Sequence, residues 1–187
     1  MLLTGLLPDI STDPAIETAT DSIEAGRSGT IVAPVGIRPP LLAAVASRAA
    51  TPLVVLTATG RDAESLTNAL ASWIPGVAML PAWETLPHER LSPQVDTMAR
   101  RIAVLRRLSH PIQGDESAGP LSVLVVPIRA FLQPIISGLA DLEPVRVRTG
   151  DILDLTDVTN RLAELGYERV DMVEGRGQMS VRGGILD

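Results

Sequence analysis

The sequence has no cysteine, which excludes disulfide scaffolds, thiolate nucleophiles and cysteine metal sites. It has no lysine either. All sixteen basic residues are arginine, so a Schiff-base lysine and the lysine of a phosphate-binding loop are both impossible. The bias itself reads as genomic composition, and its chemical consequence holds regardless. Aromatics make up only 2%: Trp73, Trp83, Phe131 and Tyr167 are the whole supply. That is too few rings for a groove that stacks single-stranded bases. Two histidines, His88 and His110, are a poor basis for a zinc site, and no metal is expected. No run of about 18 apolar residues occurs, so neither a membrane span nor a membrane partner is expected. The start, Met1 to Asp9, lacks a basic region and a long apolar core, so it does not read as a secretion signal, and a cytoplasmic location is the expectation.

What is present is 187 residues at 45% hydrophobic content, room for one ordinary domain and part of a second. Sixteen basic against 22 acidic residues leave a net charge of -6, which does not attract nucleic acid or an anionic membrane.

Apolar runs alternate with helical patterns over the first two thirds of the chain. Thr30 to Ala33, Leu53 to Leu56, Val77 to Leu80 and Leu121 to Val126 read as strands. Pro39 to Ala50 reads as a helix with proline in its first turn, and Asp62 to Trp73 as a helix with acids at its positive end. Ser92-Pro93 opens a further helix on which Val95, Met98, Ile102 and Leu105 share one face, opposite Arg100 and Arg107. This alternation predicts an α/β fold with a parallel sheet covered on both faces. It stops near Asp141 to Pro144. Beyond it, Val145 to Arg148 has the period of a strand, Leu155 to Leu165 that of a helix stopped by Gly166, and Arg169 to Glu174 and Ser180 to Asp187 read as two strands joined by Gly175-Arg176-Gly177. This second part is expected to be α+β and incomplete, the chain ending inside its last strand.

The first strand-to-helix connection is where a nucleotide-binding α/β domain keeps its phosphate loop. Laid on G-x-x-x-x-G-K-[ST], the chain offers Ala33 for the first glycine, Arg38 for the second, Pro39 for the lysine and Pro40 for the hydroxyl, with Gly36 between. Two prolines remove amide donors where phosphate would bind. Read as an ordinary connection or as a degenerate phosphate loop, it should not hydrolyse ATP. Other near-motifs fail as well. His88-Glu89-Arg90-Leu91-Ser92 ends in serine where a metal-binding H-E-x-x-H needs histidine; Gly175 to Ser180 lacks the third glycine of a dinucleotide loop; Gly26-Arg27-Ser28-Gly29 precedes a strand rather than opening a helix. No catalytic constellation emerges.

Two segments remain. Leu80-Pro81-Ala82-Trp83-Glu84-Thr85-Leu86-Pro87 reads physically as a stiff loop pinned by Trp83. Arg146, Arg148, Arg169, Arg176 and Arg182 cluster in the small last part, either as a solvated surface or as a basic docking face. Together with Leu91-Ser92-Pro93, Asp96, Arg100-Arg101 and the Gly-Tyr…Val-Asp…Gly…Arg-Gly-Gly-Ile-Leu-Asp run of Gly166 to Asp187, these residues resemble the amino-terminal, UvrB-like module of the bacterial transcription-repair coupling factors (Mfd). UvrB is the nearer alternative, but it resembles a working ATPase, whereas the loop at Ala33 to Pro40 does not.

The resemblance implies a degenerate, helicase-like α/β domain over residues 1–142 and the start of a UvrA-binding α+β domain over 143–187. It implies a whole protein that uses ATP and Mg in motor domains beyond this chain to displace RNA polymerase stalled on damaged double-stranded DNA. That protein recruits nucleotide-excision repair through UvrA. This chain would then be a non-catalytic module without a cofactor of its own, binding UvrA and packing against its own C-terminal domains. By position, Arg182 and Gly183 match the family's Arg-Gly-Gly run, and Arg169 falls at another UvrA contact position. Ser180 stands where UvrB has a further arginine, and Met179 where an aromatic is usual. The competing readings are a nucleotide hydrolase with an unrecognised site, and a purely intramolecular clamp on the motor.

Overall fold

The computed structural model describes residues 2–85 and 93–187. The near-motif His88 to Ser92, with Leu86 and Pro87, lies outside the described residues.

The chain begins with a 3-10 turn and two helices, α1 (Leu7–Ser11) and α2 (Pro14–Glu24). Asp13 caps α2 by accepting the Ala15 N–H at 2.9 Å. After α3 (Arg38–Arg48), β1 (Leu53–Thr57) and α4 (Gly60–Leu70) come β2 (Val77–Met79), α5 (Val95–Ser109), β3 (Val123–Pro127) and α6 (Ile128–Leu132). The three strands form a parallel sheet in the order β1-β3-β2, with Val123 opposite both Leu53 and Val77.

Because side chains alternate across a strand, β3 feeds two cores. Val123 and Val125 meet Leu7, Ala43, Ala46, Ala63, Leu70 and Ile74 on one face. Leu124 and Val126 meet Leu80, Val104, Leu121 and Ala130 on the other. Each valine, leucine or isoleucine so buried contributes about 1.5–3 kcal/mol, and the alanines less. The expected two-sided cover therefore holds for β3 but not for β1. No residue of β1 enters the second core, and Val54 and Leu56 stand about half exposed. The alternating burial of β1 marks it as an edge strand covered on one side, among the described residues.

Three further expectations change. Thr30 to Ala33 forms no strand; Ile31 and Val32 are exposed and the chain there is irregular until a 3-10 turn at Val35–Ile37. Val145 to Arg148 is likewise irregular and ends in a turn in which the Arg148 N–H donates to the Asp151 carboxylate at 2.8 Å. Both segments have strand-like side chains but no described neighbour to pair with, and pairing decides. On α5 the buried residues are Thr97, Arg101, Val104 and Leu105, while Val95 and Met98 are exposed. The buried stripe is turned from the apolar one because two polar residues have partners inside.

Gly76 makes the turn into β2 at φ +74, and its carbonyl accepts the Ser122 N–H at 2.8 Å. An added Cβ would lie 2.9 Å from the Pro120 carbonyl oxygen and 3.0 Å from the Ser122 nitrogen, both backbone. Gly76→Ala should cost about 2 kcal/mol or more, from left-handed strain and backbone overlap. A urea unfolding midpoint indistinguishable from the parent's would show that the turn relaxes.

The last part contains α7 (Leu155–Glu164) and four two-residue strands: β4 (Glu168–Arg169), β5 (Gln178–Met179), β6 (Val181–Arg182) and β7 (Ile185–Leu186). β4 pairs with β5, and β6 with β7 as an antiparallel hairpin. Ser180 to Asp187 is thus a hairpin turning at Gly183 (φ +61), not one strand. Two adjacent glycines, Gly183 and Gly184, allow the reversal.

Candidate functional site

Asp154 caps α7, accepting the Thr156 N–H at 2.7 Å, and the same bond holds its carboxyl below the usual range. Gly166, at φ +88, ends the helix, with the Tyr167 N–H returning to the Leu162 carbonyl at 3.0 Å. The chain then enters β4, whose ends are fixed by bonds from the Glu168 N–H to the Gly177 carbonyl (2.8 Å) and from the Val170 N–H to the Met179 carbonyl (2.9 Å). Ser180 is 1% exposed and donates its hydroxyl to the Asp171 carbonyl at 3.0 Å. Its backbone pairs both ways with Asp187, closing the hairpin.

These ties bring Arg169 and Arg182, thirteen positions apart, to the same concavity of about 460 Å³. Val170, Asp171, Ser180 and Val181 complete its wall. Gly183 shapes the adjoining turn and is not part of the lining. Met179 and Ser180 are both buried; Ser180 contributes to the wall of the concavity and Met179 does not. Arg182 is paired with Asp187, Nη2 to Oδ2, at 3.0 Å, while Arg169 is exposed and makes no ion pair among the described residues. Arg182 thus already makes one arginine-to-carboxylate contact of the kind guanidinium groups favour, with a residue outside the lining of the concavity. Arg176, expected among these arginines, is directed elsewhere: its Nε lies 3.0 Å from Asp96 Oδ1.

The other candidate, around Ala33, Gly36, Arg38, Pro39 and Pro40, is not a strand–loop–helix, since no strand precedes it. A 3-10 turn over Val35–Ile37 runs directly into α3, whose N-cap Ile37 supplies no side-chain acceptor. Pro39 and Pro40 carry no N–H in the first turn, and Pro40 is buried. Gly36 faces open space and Arg38 is exposed. The amide cradle that holds a phosphate at a helix start is therefore missing here. No group of three or more histidine and acidic side chains that could hold a metal occurs among the described residues.

The loop at Leu80 to Thr85 is held more elaborately than Trp83 alone would require. Arg101 is fully buried, donates Nη1 to the Pro81 carbonyl at 2.6 Å, and lies 4.4 Å from the centroid of the Trp83 ring. Trp83 exchanges two backbone bonds with the Gln133 amide, at 2.8 and 3.3 Å. The Thr97 hydroxyl donates to Glu84, holding that carboxyl below its usual range, and Arg129 donates to the Glu84 carbonyl at 3.2 Å. Sequence reasoning missed Thr97 and Gln133, and it named Arg101 only within the Arg100-Arg101 pair, without its buried role. The available signal was the spacing Thr97, Arg101, Val104, Leu105, one helical face with two polar members.

Comparison with known proteins gives one family match: residues 145–187 fit the UvrB interaction domain. Among curated relatives, a transcription-repair-coupling factor from Mycobacterium bovis is 49% identical over 160 residues, 84% of this chain. One from Escherichia coli is 28% identical over 149 residues, 79% of the chain. A UvrABC system protein B from Vibrio vulnificus is 26% identical over 200 aligned residues, all of this chain and 29% of its own length. The chain spans only 13% and 12% of the two coupling factors' lengths.

Proposed function

We propose, from the premise that this chain is homologous to one stretch of the transcription-repair-coupling factors, that it is a non-catalytic docking module whose Arg169–Arg182 concavity takes acidic groups of UvrA. The observation that carries this reading is the convergence of both arginines on one concavity inside the segment matching the UvrB interaction domain. Residues 1–142 would be a degenerate, helicase-like domain, and 143–187 the beginning of the docking domain. ATP and Mg would act in motor domains of a longer protein that meets stalled RNA polymerase and double-stranded DNA, while this piece recruits excision repair in the cytoplasm. The missing amide cradle at Gly36 to Pro40 supports assigning no hydrolysis to this chain. No helix among the described residues is long and apolar enough to cross a membrane.

Calorimetric titration of this chain into purified UvrA tests the proposal directly. A saturable isotherm is the expected result, and the absence of heat and of co-migration in gel filtration would overturn it. ATP turnover by the purified chain, lost on altering Gly36, would favour the hydrolase reading instead.

The Arg182–Asp187 pair supports a second, compatible role in which the same face binds carboxylates of its own polypeptide. Asp187 already engages the Arg182 guanidinium with which a partner's carboxylate would pair. Asp187→Asn should therefore tighten UvrA binding about two- to five-fold, the range of an exposed ion pair. Weaker binding in that variant would mean Asp187 shapes the site rather than competing for it.

A further inference from the structure

The arginine that leaves the docking face has a second consequence for the molecule. Asp96, in the first turn of α5, accepts Arg176 Nε on Oδ1 at 3.0 Å and Arg100 Nε on Oδ2 at 2.7 Å. Arg100, one helical turn on, orients the carboxylate so that its other oxygen faces Arg176. The residue after Arg176, Gly177, sits at φ +82, and a Cβ there would lie 3.1 Å from the Val95 side chain. A charge contact and a backbone close approach thus seat the Gly175-Arg176-Gly177 turn on the start of α5. The far end of the same helix holds the chain where it leaves the α/β part. Arg106 donates to the Leu142 carbonyl at 3.1 Å, and His110 lies 2.7 Å from the Asp141 carboxylate. α5, 15 residues and about 22 Å long, therefore grips the departing chain at one end and the 175–177 turn at the other. Between these grips, residues 143–154 contain no helix or strand.

We propose that Asp96 and Arg176 form a latch that fixes the orientation of the docking segment, residues 145–187, against α5. Asp96 is then a positioning residue for the arginine concavity, acting through Arg176 without touching any partner. Both side chains are substantially exposed, at 42% and 64%, so the latch is weak enough to yield and is sensitive to salt. With the latch open, the docking segment pivots on the irregular stretch before α7. The inference stands independently of which protein binds the concavity.

The absence of native cysteine makes the test direct. Spin labels at Ser65→Cys on α4 and Ala163→Cys on α7, both exposed positions, report the distance between the two parts by pulsed electron resonance. At low salt the parent should give one narrow distance population. Arg176→Gln should raise the population away from that distance about five-fold, and Asp96→Asn by the same amount. The double variant should change nothing further, since the contact can be lost only once. Arg176→Gln leaves α5 untouched, so its effect cannot come from fraying of the helix. A distribution in Arg176→Gln that superimposes on the parent's overturns the latch, and so does an additive effect in the double variant.

Discussion

Arg182→Glu should reduce UvrA binding by at least about 100-fold while the chain stays folded. A charge-assisted hydrogen bond contributes about 1.5–3 kcal/mol, and reversal adds repulsion against the carboxylate that the guanidinium had faced. Arg182 is exposed at the end of β6, and among the described residues its ion-pair partner is Asp187, so the substitution disturbs no core. Arg169→Glu should act in the same direction, because it shares the concavity. The informative control is Arg176→Glu. Its side chain is committed to Asp96, so the loss should stay below about five-fold, the scale of a surface pair. Equal losses at all three positions would mean that general basic charge, not the concavity, attracts the partner. A folded Arg182→Glu variant with parental affinity would remove the site assignment.

The second large effect is on stability. Arg101→Ala should cost about 3 kcal/mol, because it deletes the hydrogen bond to Pro81, the contact beneath Trp83 and the bulk that fills their junction. For a chain of this size that lowers the melting temperature by about 6–12 °C. Arg101→Met offers the discriminating comparison. It keeps most of the volume and abandons the charge, and buried charges are often replaced by apolar residues at little cost. If packing dominates, the methionine variant recovers most of the loss. If the two variants are equally unstable, the guanidinium's polar contacts are what hold the Leu80 to Thr85 loop in place. Thermal unfolding followed by circular dichroism separates the two, and a melting temperature in Arg101→Ala equal to the parent's would show that Arg101 does not hold the Leu80 to Thr85 loop.

Much of the fold could be read from local pattern, and the misreadings have a common origin. The helices that became α3, α4 and α7, and the runs that became β1, β2 and β3, combine clear periodicity with caps or stops such as Thr59, Asp154 and Gly166. Thr30 to Ala33 and Val145 to Arg148 have equally good strand patterns and form none. A strand is a relationship between two segments, and the partner is not written in either one. The same holds for α5, where hydrophobicity pointed to Val95 and Met98 while the interior took Thr97 and Arg101. Only Glu84, Pro81 and Trp83, all on a distant loop, make those polar residues welcome inside. At the candidate site, Arg169 and Arg182 were identifiable by family resemblance, but their shared wall depends on Ser180 reaching back to Asp171. Nothing in the serine's local context announces that bond.

The strand order also sets a timetable for the newborn chain. β3 lies at the centre of the sheet, and both of its neighbours precede it in sequence. Every ladder bond in that sheet passes through β3, so none can form until Val123–Pro127 has left the ribosome. Until then Leu53–Thr57 and Val77–Met79 wait as unpaired apolar segments, the state in which chains associate wrongly. Translation halted shortly before residue 123 should leave a nascent chain that chaperones hold and proteases cut, while a halt well beyond it should leave one that resists both.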